Sequence, residues 1–113
     1  MKLNFRFNAQ KVDEIEQTKK QPIENCVADT SINSLVLFIQ KGLIDENDQW
    51  GVSKNVAMST LDKYLEENEK DDLVLDIMEA LMKGGFLSRG LDLEKVRKAK
   101  AEKMALANQQ LDN

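Results

Sequence analysis

Ile32-Asn33-Ser34-Leu35-Val36-Leu37-Phe38-Ile39-Gln40-Lys41-Gly42-Leu43 is the stretch that decides how this chain folds. Wound as a helix, it places Ile32, Leu35, Val36, Leu37, Phe38, Ile39 and Leu43 on nearly all sides. A helix that is apolar all round belongs inside a packed core, because no face of it is fit for water. Thr30 and Ser31 stand just ahead and are good N-cap residues. Gly42 suits the left-handed C′ position that ends such a helix. The stretch therefore reads as a central buried helix, with the rest of the chain assembled around it.

Ahead of that helix, Leu3-Asn4-Phe5-Arg6-Phe7 alternates apolar and polar residues, the period of a strand. It reads as a short strand, or as an extended arm laying Phe5 and Phe7 on the core. Residues 9–19 are charged, with Val12 and Ile15 on one side, and read as a surface helix interrupted before Pro22. Ile23, Cys26 and Val27 continue as another helical turn or two. Beyond it, residues 45–51 form a polar loop, and Ser53 can cap a helix over 53–65 with Ala57, Leu61, Tyr64 and Leu65 on one face and Val56 beside it. After the acidic break Glu66–Asp72, Asp71 or Asp72 caps a helix carrying Leu73, Val74, Ile77, Met78, Leu81 and Met82, which stops at Gly84-Gly85. The fold class expected is mostly α: a small domain of about four to five helices around a central buried helix, with a short N-terminal strand or extended arm.

The character changes near residue 88. Residues 1–88 hold 10 Lys/Arg against 16 Asp/Glu, whereas residues 89–113 hold 6 against 4. The division expected is a compact helical core domain over 1–88 and a basic, weakly amphipathic C-terminal helix or tail over 89–113. Asp92 can cap a helix there from about 93 to 108, with Leu93, Val96 and Met104 as its sparse apolar residues.

Composition removes most kinds of chemistry. The chain has 113 residues and no histidine, so the commonest general base and metal ligand is missing. One cysteine, Cys26, cannot form an internal disulfide or a cysteine-based zinc site. It suits a reducing cytoplasm. Asp45-Glu46-Asn47-Asp48-Gln49-Trp50-Gly51 starts like a calcium-binding loop, but Trp50 stands where the glycine is needed and Val56 where the glutamate is needed. The carboxylates from Glu66 to Asp72 read as a hydrated helix end. Gly84-Gly85 follows a helix, and a phosphate-cradling loop precedes one. No cofactor is expected and no enzyme. A formal net charge of −4 disfavours nucleic acid. The longest apolar run, Leu35 to Ile39, is far short of the roughly 20 residues of a membrane span. Met1 to Phe7 lacks the apolar run of a secretory leader.

Binding is what remains. Phe5, Phe7, Phe86 and Leu87, with Trp50, lie in or beside non-helical segments. Such residues either close off a core or form a partner-facing patch. Leu93, Val96 and Met104, among Arg97, Lys98, Lys100 and Lys103, either dock a helix onto an acidic groove or belong to a solvated helix. Phe5, Phe7, Phe86, Leu87, Leu93, Val96 and Met104 are the candidate partner-binding residues.

Over residues 1–88 the chain resembles the tail assembly chaperones of long, non-contractile-tailed phages and prophages of Gram-positive bacteria. The resemblance rests on Lys2-Leu3-Asn4-Phe5-Arg6-Phe7, on Ser34 through Leu43, and on Leu61-Asp62-Lys63-Tyr64-Leu65-Glu66-Glu67-Asn68. It also rests on Leu73-Val74-Leu75-Asp76-Ile77-Met78-Glu79-Ala80-Leu81 and the closing Gly84-Gly85-Phe86. It implies a protein of the host cytoplasm that binds and solubilises the tape measure protein, recruits tail tube subunits and is absent from the finished virion. In many such phages a frameshifted longer product contacts the tail tube protein, and this chain corresponds to the short form. Self-association is left open. Two other readings stand beside this one. The first is a small cytosolic regulator, helix-turn-helix-like or its antagonist, although neither candidate helix presents a basic face. The second is a minor structural tail-completion protein, although such proteins are usually strand-rich.

Overall fold

The computed structural model describes residues 1–87; the expected helix over 93–108, and Leu93, Val96 and Met104 with it, lie outside the described residues. The described residues form five helices and one two-stranded antiparallel sheet. In chain order these are β1 (Asn4–Phe5), α1 (Ala9–Lys19), α2 (Ile23–Ala28), α3 (Ile32–Gly42), β2 (Leu43–Ile44), α4 (Lys54–Leu65) and α5 (Lys70–Lys83). The mostly helical class expected from the sequence is the class observed, with α3 as the central helix.

Each helix starts where a polar side chain can satisfy its unpaired amides. Asn8 accepts from the Lys11 N–H at 2.8 Å, Ser31 from the Ser34 N–H at 3.3 Å, and Ser53 from the Val56 N–H at 3.2 Å. The start of α5 differs from the sequence expectation. Glu69 is the N-cap, and Asp72 sits three residues on, its carboxylate accepting from the Glu69 N–H at 3.0 Å. This is the reciprocal capping box, in which the acid at the third helical position serves the N-cap backbone and the Glu69 side chain serves the backbone at the third position. At its other end α5 closes as expected: Gly85 is left-handed (φ +85°), and the Phe86 N–H reaches back to the Leu81 carbonyl at 2.9 Å.

Within α3, Leu35, Val36, Phe38 and Ile39 are buried, and so is Ser34, whose hydroxyl donates to the Cys26 carbonyl at 3.4 Å. That bond ties α3 to α2. The helix packs most extensively against α4, which contributes Ala57, Leu61 and Tyr64. Val56, set beside that face by the sequence, is exposed, and so is Ile32 at the start of α3.

Gly42 has a different role from the one expected. It is the last residue of α3 and not a left-handed residue beyond it. Leu43, read as part of the helix, instead begins β2 and pairs with Phe5. Glycine is required at 42 by contact: a Cβ there would lie 2.4 Å from two ring carbons of Phe7. The Phe7 ring lies over the bare backbone of Gly42 and packs edge-on against Phe38, centroids 6.1 Å apart. Phe5 stacks behind it at 6.2 Å. The Arg6 N–H donates to the Gly42 carbonyl at 2.8 Å, continuing the β1–β2 pairing. Trp50 closes the other side, its indole N–H donating to the Arg6 carbonyl at 2.8 Å, with the Lys11 ammonium 5.8 Å from its ring.

Gly42→Ala is expected to destabilise the protein by about 1–3 kcal/mol through overpacking. Phe7→Ala should cost about 3–5 kcal/mol through the cavity it leaves. Because a methyl group added at 42 and the Phe7 ring occupy the same space, Gly42→Ala combined with Phe7→Ala should cost less than the two changes added separately. Urea unfolding of the four proteins checks this double-mutant cycle; additivity would show that the ring and the glycine are not coupled.

Candidate functional site

The surface feature with the clearest binding chemistry lies between α2 and α5. On α5, Leu73, Ile77 and Leu81 recur every fourth residue and are fully buried in the core. Val74 and Met78 form the next row, one residue on, and are only half-buried. Opposite them α2 presents Val27 and the exposed Ala28. Leu87, just beyond the Gly84-Gly85 turn, stands at the same place. Together Val27, Ala28, Val74, Met78 and Leu87 line an apolar groove of about 440 Å³, with Glu24 and Thr30 at its edge. Apolar concavities rimmed by polar residues are where proteins accept a partner's side chains. Met78 adds a flexible, polarizable side chain that adapts to different occupants.

The position of α2 sets the width of this groove, and α2 is only six residues long. It is held from outside itself. The turn into it is made by Lys20 in a left-handed conformation (φ 56°) followed by Gln21 and Pro22. With proline at its N-cap, α2 has no side-chain cap of its own. The Glu16 carboxylate of α1 supplies one by accepting from the Ile23 N–H at 2.8 Å. At the other end, Asp29 pairs with Lys19 of α1 and accepts from the Ser31 N–H at 3.0 Å. One carboxylate thus fixes the end of α1, the end of α2 and the start of α3.

The candidate residues fall into three groups. Phe7 is buried and belongs to the core described above. Phe5 and Phe86 are half-buried and pack against the core. Phe86 covers Gly84, where a Cβ would approach its ring to 2.8 Å. Leu87 is the candidate that lines the groove. The structure therefore does not gather these four residues into one patch. Val74 and Met78, named from the sequence only among the apolar residues that this helix carries, are the groove residues that periodicity does not single out. They belong to the same broad apolar stripe as Leu73 and Ile77, and a stripe does not show which of its rows a neighbour covers.

Elsewhere the chemistry is that of a scaffold. Burial pushes the Cys26 thiol above its ordinary range, which leaves it protonated and unreactive. The Tyr64 hydroxyl is pushed up to about 12, first by burial and then by the neighbouring Asp76 and Asp72 carboxylates. Asp45, first residue of the loop with calcium-like composition, accepts from the Asn47 and Gln49 N–H groups at 2.8 Å each and so holds its own turn. Among the described residues no group of three or more His, Cys, Asp or Glu is placed to hold a metal ion. No helix among them is long and apolar enough to cross a membrane.

Comparison with protein-family models, with curated proteins and with solved structures finds no match to this chain.

The Asp29 clamp makes the groove wall sensitive to acid. Lys19 foremost, and then Ser31, hold the Asp29 carboxyl at about 2, below its ordinary 3.8. A depressed folded-state value contributes stability that is complete above the unfolded-state value and lost as pH falls towards 2. Asp29→Asn should therefore lower the urea midpoint relative to the parent protein at pH 5 and above. The difference should shrink steadily from pH 4 to pH 2. A difference that is constant across this range would mean the ion pair does not hold α2.

Proposed function

We propose that this chain is a phage tail assembly chaperone of the host cytoplasm. In this reading it binds and solubilises the tape measure protein, helps recruit tail tube subunits during tail morphogenesis and is absent from the mature virion. The single observation that carries the reading is the apolar groove between α2 and α5. It is a row of half-buried aliphatic side chains on a small helical scaffold whose described residues are otherwise strongly acidic, with 10 Lys/Arg against 16 Asp/Glu. The resemblance of residues 1–88 to that chaperone family supplies the identity of the client.

The geometry suits a long helical client. Helix-in-groove recognition takes side chains spaced by one helical turn, and Val74 and Met78 offer a complementary row. A shallow groove with two helical walls gives modest affinity per contact. Many copies along one extended client then cover its apolar surface through avidity while each copy exchanges freely. Such reversibility is what the job demands, since tube subunits must replace the chaperone. The charged remainder of the surface keeps the loaded complex soluble, because like-charged copies do not coalesce.

The test is co-expression of this chain with the tape measure protein of the phage or prophage whose genome encodes it. The client should be soluble with the parent chain and insoluble without it. Val74→Asp with Met78→Asp should abolish the effect while the variant's own helical circular dichroism is kept, because both positions are half-buried and outside the packed row. Client solubility that does not depend on this chain would sink the assignment. Solubilisation unaffected by the double substitution would move the binding site elsewhere.

A further inference from the structure

Apart from its apolar lining, the α2–α5 groove presents one charge. Glu24, in the first turn of α2, stands at its edge beside Val27, Ala28, Val74, Met78 and Leu87. The acids at either end of α2 have structural tasks: Glu16 caps the Ile23 N–H and Asp29 pairs with Lys19. Glu24 has no task of that kind. Among the described residues no ion pair or side-chain hydrogen bond engages its carboxylate. A carboxylate left unpaired at the rim of an apolar concavity attracts cations and repels anions. The surroundings reinforce its sign, since residues 1–88 hold 10 Lys/Arg against 16 Asp/Glu.

We infer that Glu24 sets the specificity of the groove. The partner it selects is an amphipathic helix carrying two aliphatic side chains one turn apart and a lysine or arginine one turn further along. The apolar part follows from size and spacing. The groove encloses about 440 Å³. That is room for roughly three side chains, taking the ~150 Å³ of a benzene-sized cavity as the unit. Val74 and Met78 lie one turn apart on α5, so the lining runs along that helix, and a second helix can lay its own i, i+4 row against it. The basic part follows from the place of Glu24. It precedes Val27 by three residues and Ala28 by four, one turn away along the same wall. A cation on the partner therefore meets it once the aliphatic pair is seated. A fatty acid could fill the same apolar space, but it brings a carboxylate towards a carboxylate. An acidic helix is rejected for the same reason. The inference rests on the chaperone reading only in taking the groove as a client site, and it adds which stretches of a client the groove admits.

Two alanine-based helical peptides of about 15 residues test this selectivity. Both carry two leucines one turn apart; one has lysines and the other glutamates one turn beyond them. Each is titrated to millimolar concentration into the full-length protein, whose methionine methyl groups are observed by NMR. Met78 reports the groove, and Met58, exposed on α4, reports a surface outside it. The Met78 signal should move and the Met58 signal should not. At low salt the lysine peptide should bind on the order of tenfold more tightly, because an attractive pair replaces a repulsive one. The preference should fade as salt rises towards about 1 M. Glu24→Lys should reverse it. Glu24→Gln should remove most of it and disturbs the first turn of α2 less. Glu46→Lys makes the same change in net charge as Glu24→Lys but outside the groove, and should leave most of the preference in place. Equal binding of the two peptides overturns the inference. So does a preference that survives Glu24→Gln, or one that Glu46→Lys removes equally, since the charge would then act from the protein as a whole. A Met78 signal that neither peptide moves also overturns it, and sedimentation would then show whether a second copy of this chain covers the groove. The peptides contain no tape measure sequence, so this preference can hold where co-expression fails, and can fail where co-expression succeeds.

Discussion

A phenylalanine ring lying on a bare peptide backbone holds this molecule together. Phe7 can approach the end of α3 only because Gly42 has no side chain there. The same short segment also meets the end of α5, where a Cβ on Gly84 would come within 3.3 Å of the Phe7 carbonyl. Two helices whose C-termini are far apart in sequence are therefore joined through one residue of the N-terminal arm. The β1–β2 pairing, the Arg6 bond to Gly42 and the indole of Trp50 keep that residue in place. Because α5 is anchored at this end, its Leu73–Ile77–Leu81 row is committed to the core. Its Val74–Met78 row is thereby turned towards α2.

The groove is a by-product of that commitment. α2 is too short to stand alone, since an isolated helix of six residues does not offset the cost of its own nucleation. It persists because Glu16 caps it, Ser34 binds its carbonyl and Asp29 is clamped to Lys19. The wall it provides is held by polar contacts at both ends and by Ile23, Cys26 and Val27 packed into the core, with Val27 and Ala28 lining the groove.

Much of the fold was legible in the sequence because its cues are local. Ser31 and Ser53 cap helices, Pro22 separates two of them, and Gly85 ends the last one described. The apolar content of residues 35–39 required a buried helix, and one is there. Where the reading went astray, the deciding contact lay far away in the chain. Gly42 has the composition of a helix terminator, but its reason for being glycine is Phe7, 35 positions earlier. Glu69 took the cap that Asp71 or Asp72 was expected to fill, because a capping box needs the acid at its third position. The groove was the least legible feature. Val74 and Met78 look like core residues by spacing, and only the placement of a six-residue helix stabilised by Glu16 and Asp29 shows that they are not. A pattern within one helix fixes which residues are apolar, and the neighbours fix which of them stay uncovered.

The bridge from Phe7 to the ends of α3 and α5 also matters for how the chain leaves the ribosome. Leu3, Phe5 and Phe7 emerge before their seat exists, since Gly84 follows Phe7 by 77 positions. At ordinary elongation rates of about 5–20 residues per second, roughly 4–15 seconds separate them. During that interval the arm has no completed seat, and three large apolar side chains lie unpacked on a growing chain. Charges set between apolar residues, as Lys2 and Arg6 are here, disfavour edge-to-edge pairing of such a segment with its neighbours. The same alternation that let the segment be read as a strand serves, before the fold exists, to protect the nascent chain.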